Sequence, residues 1–370
     1  MKRPNILLAI ADDQGWPHAG AYGCRMVNTP AFDRIARMGC LFENAYCPAP
    51  QCAPSRAALL SGRNIWQNEE GGTHGSFYPA HLGSYVELLA AAGYHVGYTG
   101  KGWGPGDFRS PGRENNPAGP AYKEHQCQPP ASGISSCDYA MNFRAFLDAK
   151  PEGSPFCFWF GCHEPHREYE PGSGLRAGKS LEDVEVPPYL PDHEIVRSDL
   201  LDYAFEIDWF DLHLQRMLRL LEERDMLENT LIVVTSDNGL PFPRAKASNY
   251  EAGVRVPLAI AWPAAIPANR KVRDMMSFID LAPTFLEAAG VEVPLEMSGR
   301  SLMPTLCSSR EGLVDPQRTW TVTGRERHTH ARHDNLGYPV RAIHTLDYVY
   351  IWNMKPELWP AGEQFHDVDG

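Results

Sequence analysis

The chain has 370 residues, of which 43% are hydrophobic and 22% are charged, so it can bury a large core and is not globally disordered. Its 34 basic and 46 acidic side chains give a net charge of −12, which argues against a nucleic-acid binder or a binder of anionic membranes. No apolar run approaches the roughly 18–20 residues that a membrane span requires. The nine cysteines form no CxxC pairs with zinc spacing, so a structural zinc site is not expected.

Buried strands alternate with helices along the chain, which predicts an α/β fold. The apolar run at residues 5–11 predicts the first strand, and Thr29-Pro30 before an amphipathic segment predicts a helix start. Further strands are predicted at residues 96–99, 155–162, 231–236 and 257–262, and further helices at residues 83–92, 199–227 and 278–289. Residues 103–135 and 164–192 are predicted to be long loops. This order predicts a large mixed, mostly parallel sheet flanked by helices.

Polar residues directly follow four of the predicted strands. They are Asp12 and Asp13, Lys101, His163, and Asp237 with Asn238. Because ligands in open α/β sheets bind beyond the carboxyl ends of the strands, we expect these side chains to converge on one edge. Their oxygen atoms suit Ca²⁺ or Mg²⁺ better than zinc. Either Asp12-Asp13 or Asp237-Asn238 alone could be ordinary turn or cap residues, but the two pairs together in one predicted crevice predict a metal site.

The segment Cys52-Ala53-Pro54-Ser55-Arg56 is the sharpest local signal in the chain. Pro54 is typical of the first turn of a helix, so Cys52 is placed near a helix N-terminus, whose positive dipole end favours anions. Arg56 adds a fixed positive charge one turn later. A lone cysteine before a helix is usually a small buried hydrophobe, but this setting predicts an anion site that perturbs Cys52.

The Cys-x-Pro-Ser-Arg segment, followed by Leu60 and Gly62, resembles the signature of the type I sulfatases. The run GYHVGYTGK at residues 93–101 is similar to the second signature of that family, and the resemblance covers essentially the whole chain. It implies an alkaline-phosphatase-like sandwich and conversion of Cys52 to formylglycine by a separate maturation enzyme. It also implies one Ca²⁺, held by Asp12, Asp13, Asp237, Asn238 and the modified Cys52.

The resemblance implies a mechanism as well. One hydroxyl of hydrated formylglycine attacks sulfur in line, and sulfate leaves when the aldehyde re-forms. Arg56, Lys101 and Lys246 would bind sulfate oxygens, and His163 would protonate the leaving group. The alternative for Lys246 is a solvated loop lysine.

One position departs from the family pattern. Many relatives carry a histidine two residues after the signature lysine, where this chain has Trp103. The proton-transfer role of that histidine therefore has no obvious bearer in this chain. His74, in the segment Gly-Gly-Thr-His-Gly, is a candidate to supply the imidazole, and a surface loop histidine is the alternative.

Several local segments resemble the heparan N-sulfatase branch of the family, which breaks an S–N bond. They are Gln67-Asn68 leading to His74, HEPHR at residues 163–167, NGLPFP at residues 238–243, and residues 324–328 with 338–341. The expected substrate is therefore a sulfated sugar of a glycosaminoglycan, with N-sulfated glucosamine favoured. Glu326, His328 and Arg341 are candidates to contact a sugar acid or hydroxyl, and a polar surface turn is the alternative.

Other functions remain open at this point, because fold does not fix substrate. The chain could be a carbohydrate O-sulfatase, an arylsulfatase, or a phosphate or phosphonate ester hydrolase, although no second set of metal ligands is visible. Loss of Cys52, Arg56 or the aspartates would favour an inactive carbohydrate-binding relative, and all of them are present. A scaffold with structural Ca²⁺ would leave the Cys-x-Pro-Ser-Arg segment unexplained.

The domain expectation is one sulfatase catalytic domain at residues 1–340, with residues 341–370 beginning a smaller, incomplete C-terminal subdomain. The N-terminus reaches two aspartates without a cleavage site and predicts a strand rather than a signal peptide. The compartment therefore stays open: periplasmic or extracellular if a leader was removed, and cytoplasmic otherwise.

Overall fold

The computed structural model describes residues 3–328 and 336–358, and these contain a large sheet, smaller sheets and flanking helices. The strands are β1 Asn5–Ala11, β2 Cys40–Phe42, β3 Ala45–Tyr46, β4 Ser76–Phe77, β5 His95–Gly100, β6 Gly106–Asp107, β7 Phe156–Gly161, β8 Thr230–Ser236, β9 Leu258–Ala261, β10 Arg270–Val272, β11 Met276–Ser277, β12 Trp320–Arg325, β13 Val340–Thr345 and β14 Val349–Asn353. The α-helices are α1 Pro30–Met38, α2 Cys52–Ser61, α3 Tyr85–Ala91, α4 Tyr139–Ala149, α5 Ser173–Arg176, α6 Glu194–Glu222, α7 Glu251–Val254, α8 Leu281–Ala288 and α9 Met303–Leu306.

Seven strands form the large sheet, in the order β10-β2-β9-β8-β1-β7-β5. The strands β5, β7, β1 and β8 are neighbours and run parallel, while β9 runs antiparallel to both β8 and β2. The predicted mixed, mostly parallel sheet is therefore confirmed, with β9 as the strand that reverses direction.

Helices cover both faces of this sheet because β1 is apolar on both sides. Ile6, Leu8 and Ile10 pack in one core with residues of α2, α3 and α8, whereas Leu7 and Ala9 pack in the other core with residues of α1, α4 and α6. A strand whose successive side chains enter two different cores reads as a continuous apolar run, which is how β1 appears in the sequence.

The predicted elements agree with the structure at their centres and differ at their ends. The long helix α6 begins at Glu194 rather than at 199, and the predicted helix at 278–289 opens with a 3₁₀ turn at Phe278–Asp280 before α8. Helix α4 was not predicted, although Asp138 caps it by accepting a hydrogen bond from the Met141 backbone N–H. The predicted loop 164–192 contains the short helix α5 and a 3₁₀ turn at Leu181–Asp183.

A three-stranded antiparallel sheet of β12, β13 and β14 lies after the large sheet in the chain. It begins at Trp320, so β12 lies on the N-terminal side of the predicted boundary at 340/341 and pairs with β13 across it. No helix in the described part of the chain combines the length and the apolar character needed to cross a membrane.

Candidate active site

The polar residues after the parallel strands meet at one edge of the large sheet, as the sequence predicts. The ends of β1 and β8 are in register, with Ala11 opposite Ser236, and the backbone N–H of Asp237 donates to the Ala11 carbonyl at 3.1 Å. Strand β7 lies on the other side of β1, and β5 lies beyond β7. The residues that follow these four strands are therefore brought side by side by the strand order.

A buried cluster of carboxylates forms at this edge. Asp12, Asp13 and Asp237 are at most 2% exposed. The Asp13 backbone N–H donates to Asp237 Oδ1 at 3.1 Å, and Asn238 Nδ2 donates to Asp13 Oδ1 at 2.7 Å. Asp13 has φ of +77°, a left-handed conformation that non-glycine residues seldom adopt and that often marks a functional site.

Two lysines form ion pairs with this cluster, each with a different aspartate. Lys101 Nζ donates to Asp12 Oδ2 at 2.5 Å, and Lys246 Nζ donates to Asp13 Oδ2 at 2.6 Å. The Lys101 backbone passes so close to the end of β7 that a Cβ on Gly161 would lie 1.8 Å from the Lys101 carbonyl oxygen, so this position requires glycine. The structure thus places both predicted lysines at the site, and Lys246 is not a solvated loop residue.

Helix α2 delivers Cys52 and Arg56 to the same cluster. Gln51 is its N-cap residue in an extended conformation, and Gly62 ends it in the left-handed conformation with φ of +66°. Every residue of α2 is buried, and Arg56 is fully buried. Arg56 Nε donates to Asp237 Oδ2 at 2.7 Å, so its charge is paired within the site.

The local charges set the protonation of the cluster. Burial acts to raise the pKa of Asp12, but the neighbouring cations, led by Lys101 and Arg56, outweigh it and hold this pKa well below its usual value. Burial and the charge of Asp12 raise the pKa of Asp237. Burial also raises the pKa of the Cys52 thiol to about 12, although two lysines act in the opposite direction. Cys52 is therefore a neutral thiol near pH 7.

The donor set fits a hard divalent cation. One ligand atom each from Asp12, Asp13 and Cys52 lies within 4.8 Å of the other two. Among the described residues, the buried atoms Asp12 Oδ1 and Asn238 Oδ1 have no hydrogen-bond partner. Since Asn238 Nδ2 already donates to Asp13 and to the Gly239 carbonyl, its Oδ1 is left to accept. Buried oxygens without donors favour a bound cation, and oxygen ligands suit Ca²⁺ or Mg²⁺.

A buried anion donor lies beside this donor set. Arg56 Nη1 donates to the carbonyls of Lys101 and Gly102, whereas the buried Nη2 has no hydrogen-bond partner among the described residues. A buried guanidinium nitrogen without an acceptor is costly unless a ligand supplies one. The geometry therefore suits an anion held beside Cys52, Lys101 and Lys246.

Two histidines of the segment after β7 stand at the rim of the cluster. The side chain of His163 reaches solvent, and its backbone N–H donates to the Tyr139 hydroxyl. Partial desolvation of its ring lowers its pKa to about 4, although the charge of Asp12 acts in the opposite direction. His166 was not among the predicted site residues, yet its Nε2 lies 3.9 Å from Asp13 Oδ2. The sequence signal for it was present in the HEPHR segment.

Trp103 occupies the position at which the sequence resemblance implies a histidine in many relatives, and in this chain it is used for packing. It is 3% exposed, its Nε1 donates to the Ala53 carbonyl at 3.1 Å, and its ring meets Tyr78 edge-on at 5.2 Å. Because the indole N–H is a donor only and is already engaged, Trp103 cannot exchange a proton with a substrate.

The structure brings His74 and His328 together, although 254 positions separate them in the sequence. Their rings stack with centroids 5.4 Å apart, and Gln51 Nε2 lies 2.5 Å from His328 Nδ1. The charges of Lys246 and Lys101 act on His74, and those of Lys246 and Asp13 act on His328. His74 is therefore part of the site and not an isolated surface histidine. Gln51 was missed because nothing in the sequence marks a partner so distant.

Glu326 and Arg341 pair with each other. Arg341 Nη2 donates to Glu326 Oε1 at 2.5 Å, and the guanidinium lies 4.8 Å from the ring centroid of Trp66. The strand β12 that precedes Glu326 is anchored near the site, since Arg325 Nη1 donates to the Ala247 carbonyl next to Lys246. Glu326 and Arg341 are thus linked to the active site through the contact of β12 with the residue after Lys246.

Comparisons with known proteins agree with this geometry. A family model described as Sulfatase matches residues 4–291. The chain is 28% identical to the N-sulphoglucosamine sulphohydrolase of Homo sapiens, over 98% of this chain and 76% of that protein. It is 27% identical to an ulvan-active sulfatase of Formosa agariphila, over 96% of this chain and 66% of that protein. A solved complex of a protein with its substrate D-glucosamine-2-N,6-O-disulfate has a TM-score of 0.72 at 22% identity, covering 96% of this chain and 92% of the other.

The solved structure supports the fold, which is the alkaline-phosphatase-like sandwich that the sequence resemblance implies. The family model spans most of the chain, and the named relatives are hydrolases of sulfate esters or sulfamates. The chain belongs to the sulfatase family of hydrolases.

Proposed function

We propose that this protein removes the N-sulfate group from glucosamine of heparan-type glycosaminoglycans, with Cys52 converted to formylglycine and with one Ca²⁺ bound. The observation that carries the proposal is the buried anion site, in which Cys52 begins α2 beside the unpartnered Nη2 of Arg56. The choice of an N-sulfated sugar rests on the similarity to the human N-sulphoglucosamine sulphohydrolase over 98% of this chain.

The state of the Cys52 thiol supports the conversion. With a pKa raised to about 12, the thiol is protonated at neutral pH and is a weak nucleophile, even though it begins a helix and is surrounded by cations. Formylglycine would supply a hydrated aldehyde whose hydroxyl can attack sulfur. Since Cys52 is 1% exposed and all of α2 is buried, a maturation enzyme has to reach this residue before the chain folds.

The oxygen-rich donor set supports Ca²⁺. Asp12, Asp13, Asp237 and Asn238 would hold the ion, with the modified Cys52 beside it, and the ion would lower the pKa of the attacking hydroxyl. Among the described residues, the buried Asp12 Oδ1 and Asn238 Oδ1 have no hydrogen-bond partner and would coordinate the ion.

The other residues of the chain orient the substrate. Arg56 Nη2 would donate to one sulfate oxygen, and the ammonium groups of Lys101 and Lys246 would offset the negative charge that develops in the transition state. His163, at the rim, would give the leaving amine the proton that it needs when the S–N bond breaks. Because the pKa of His163 is lowered to about 4 in the ligand-free site, this role requires the negative charge of the bound sulfate to raise that pKa.

A carbohydrate O-sulfatase is the second candidate. The same site would bind the sulfate oxygens, and these contacts do not distinguish a bridging nitrogen from a bridging oxygen. The 27% identity to the ulvan-active sulfatase over 96% of this chain favours it. Nothing among the described side chains forms a second group of metal ligands, which is the feature that would favour a phosphatase.

The test combines intact mass spectrometry with turnover of N-sulfoglucosamine, 6-O-sulfated glucosamine and a generic aryl sulfate. We expect the mass of the formylglycine form, release of sulfate from N-sulfoglucosamine, and a loss of at least about 10⁴-fold in kcat for Cys52→Ala. Gln128→Glu, at an exposed position, is the control for handling and folding. Cleavage of the O-sulfates alone would exclude the N-sulfatase assignment, and full activity of Cys52→Ala would exclude the mechanism.

A further inference from the structure

Trp103 cannot donate to a substrate, because it is buried and its Nε1–H is engaged by the Ala53 carbonyl. His163 provides one imidazole at the rim. A second hydrogen-bond donor to the bound substrate therefore has to come from another group of this chain.

Gln51 and His328 form a contact that holds an imidazole against the residue preceding Cys52. Gln51 is 1% exposed, directly precedes Cys52 and occupies the N-cap position of α2 without a side-chain capping bond. Its amide Nε2 lies 2.5 Å from His328 Nδ1. Since an amide –NH₂ group can only donate, Nδ1 has to be the acceptor, and the single proton of the neutral ring is then on Nε2, on the opposite side of the ring.

The stacked His74 ring limits how His328 can turn. The two ring centroids are 5.4 Å apart with an interplanar angle of 25°. His74 Nδ1 is buried and has no hydrogen-bond partner among the described residues. His328 is thus held at its Nδ1 by Gln51 and at one face by His74, the arrangement in which an oriented imidazole offers its remaining nitrogen to a ligand.

The charged groups around His328 favour its neutral form. The titratable groups that act on it are Lys246, Arg325 and Asp13, together with the stacked His74. The side chain of His328 remains partly exposed to solvent, yet desolvation of the rest and the charges of the two cations hold its pKa below its usual value. Burial and the neighbouring His328 lower the pKa of His74 to about 3. A neutral imidazole can still donate its one N–H.

We propose that Gln51 is a positioning residue that holds neutral His328 in the Nε2–H form, so that this N–H donates to the sulfated group bound at Lys246. This inference rests on the proposed function and deepens it by assigning the role that Trp103 cannot fill. The ring of His74 stacks on the ring of His328 and restricts its rotation.

The first test reads the tautomer directly and needs no turnover. The ring ¹⁵N chemical shifts of His328, assigned by comparison with His328→Asn in histidine-labelled protein, distinguish a proton on Nε2 from one on Nδ1. We expect the Nε2–H form at neutral pH. A proton on Nδ1 would mean that the Gln51 amide is turned so that its oxygen accepts, and would overturn the proposal.

The second test uses Gln51→Glu, because a carboxylate accepts and does not donate. It should move the ring proton to Nδ1 and leave Nε2 as an acceptor in the neutral ring. The imidazolium retains both N–H groups, so activity should persist at low pH and fall by about 10²-fold as the pH rises through the new ionisation of His328. A carboxylate at the N-cap of α2 is favoured by the helix dipole, so the variant should fold.

Two further variants complete the test. Gln51→Met keeps the volume but removes the donor, and we expect a loss of about 10-fold in kcat with no new ionisation in the pH profile. Gln128→Glu adds the same charge at an exposed site and should reproduce the wild-type profile. A Gln51→Glu profile identical to that of the wild type would overturn the proposal. Failure of the wild type on every sulfated substrate would instead refute the proposed function, while the tautomer remains measurable.

Discussion

Two buried charge clusters in this chain each contain an arginine paired with an aspartate, but they differ in how many of their charged and ligand atoms lack a hydrogen-bond partner. In the catalytic cluster, Arg56 Nη2, Asp12 Oδ1 and Asn238 Oδ1 have no partner among the described residues. In the second cluster, Arg318 Nη1 donates to Asp280 Oδ2, and its Nη2 donates to the carbonyls of residues 300 and 301.

The charged groups of the second cluster are paired without a ligand. Asp280 also accepts from the backbone N–H groups of Ser277 and Arg300, and Asp274 accepts from Thr305 Oγ1 and the Val314 N–H. A satisfied buried ion pair holds the fold, whereas a buried ion that keeps a free donor or acceptor costs stability until a ligand completes it. Burial and charge alone therefore do not mark a site, whereas a buried charge cluster in which a cation and several oxygen ligands are unsatisfied together does.

The largest expected effect comes from removing the free donor of Arg56. Arg56→Lys keeps a positive charge for Asp237 but loses the forked guanidinium, so kcat/KM should fall about 10²–10³-fold while the protein stays folded. Sulfate release from N-sulfoglucosamine and a thermal unfolding curve measure the two properties. Arg318→Lys is the matched control and should retain wild-type kcat/KM. Equal losses in both variants would break the distinction between the clusters.

Removing the guanidinium of the complete cluster should act on stability instead. Arg318→Met leaves Asp280 buried and uncompensated, and the free energy of unfolding should fall by about 3–5 kcal/mol. Urea unfolding followed by circular dichroism measures this change. The remaining folded protein should keep its kcat at low temperature, and a selective loss of kcat without loss of stability would contradict the structural role.

Ca²⁺ should stabilise the protein through the first cluster only. At a free concentration 100 times its Kd, a bound ion adds about 2.7 kcal/mol to the free energy of unfolding. Asp12→Asn should reduce this increment because it weakens the ligand whose Oδ1 has no partner. Asp280→Asn should lower the baseline stability and leave the increment unchanged. A wild type with the same unfolding midpoint in Ca²⁺ and in chelator would refute a Ca²⁺ site.

The parts that could be predicted from the sequence are those in which a contiguous run specifies the structure. Strands β1 and β8 are apolar runs, and the residues that follow them, Asp12 and Asp237, had to meet once the strands were parallel neighbours. Helix α4 was missed although Asp138 and the apolar spacing after it were visible.

Other parts depend on contacts that no local pattern contains. Strand β13 alternates buried and partly exposed side chains and is stabilised by pairing with β12 and β14, so its sequence alone is weakly apolar. Lys246 reaches Asp13 through a loop with positive φ at Arg244 and Ala247, which composition does not predict. The contact of Gln51 with His328 is likewise a product of the whole fold.

The smallest expected effect concerns Asp211, a buried carboxylate that is satisfied by backbone groups. It accepts from the N–H groups of Ala31 and Phe32 at 2.8 Å and so caps α1, where Thr29 makes no side-chain cap. Burial raises its pKa to about 7, well above its value in an unfolded chain. Its contribution to stability is therefore fully present at low pH and is lost as the pH rises through about 7.

Asp211→Asn cannot titrate but keeps one acceptor oxygen for the helix N-terminus. The difference in the free energy of unfolding between the wild type and this variant should shrink by about 2 kcal/mol from pH 5 to pH 7. Urea unfolding at pH 5, 6 and 7 measures it, with Asp225→Asn as an exposed control. A constant difference would mean that Asp211 is ionised throughout this range, so that two backbone N–H groups suffice to hold a buried carboxylate charged. In that case the cations around Asp12 would not be needed to keep the buried carboxylates ionised, and their main role would be to bind the anionic substrate.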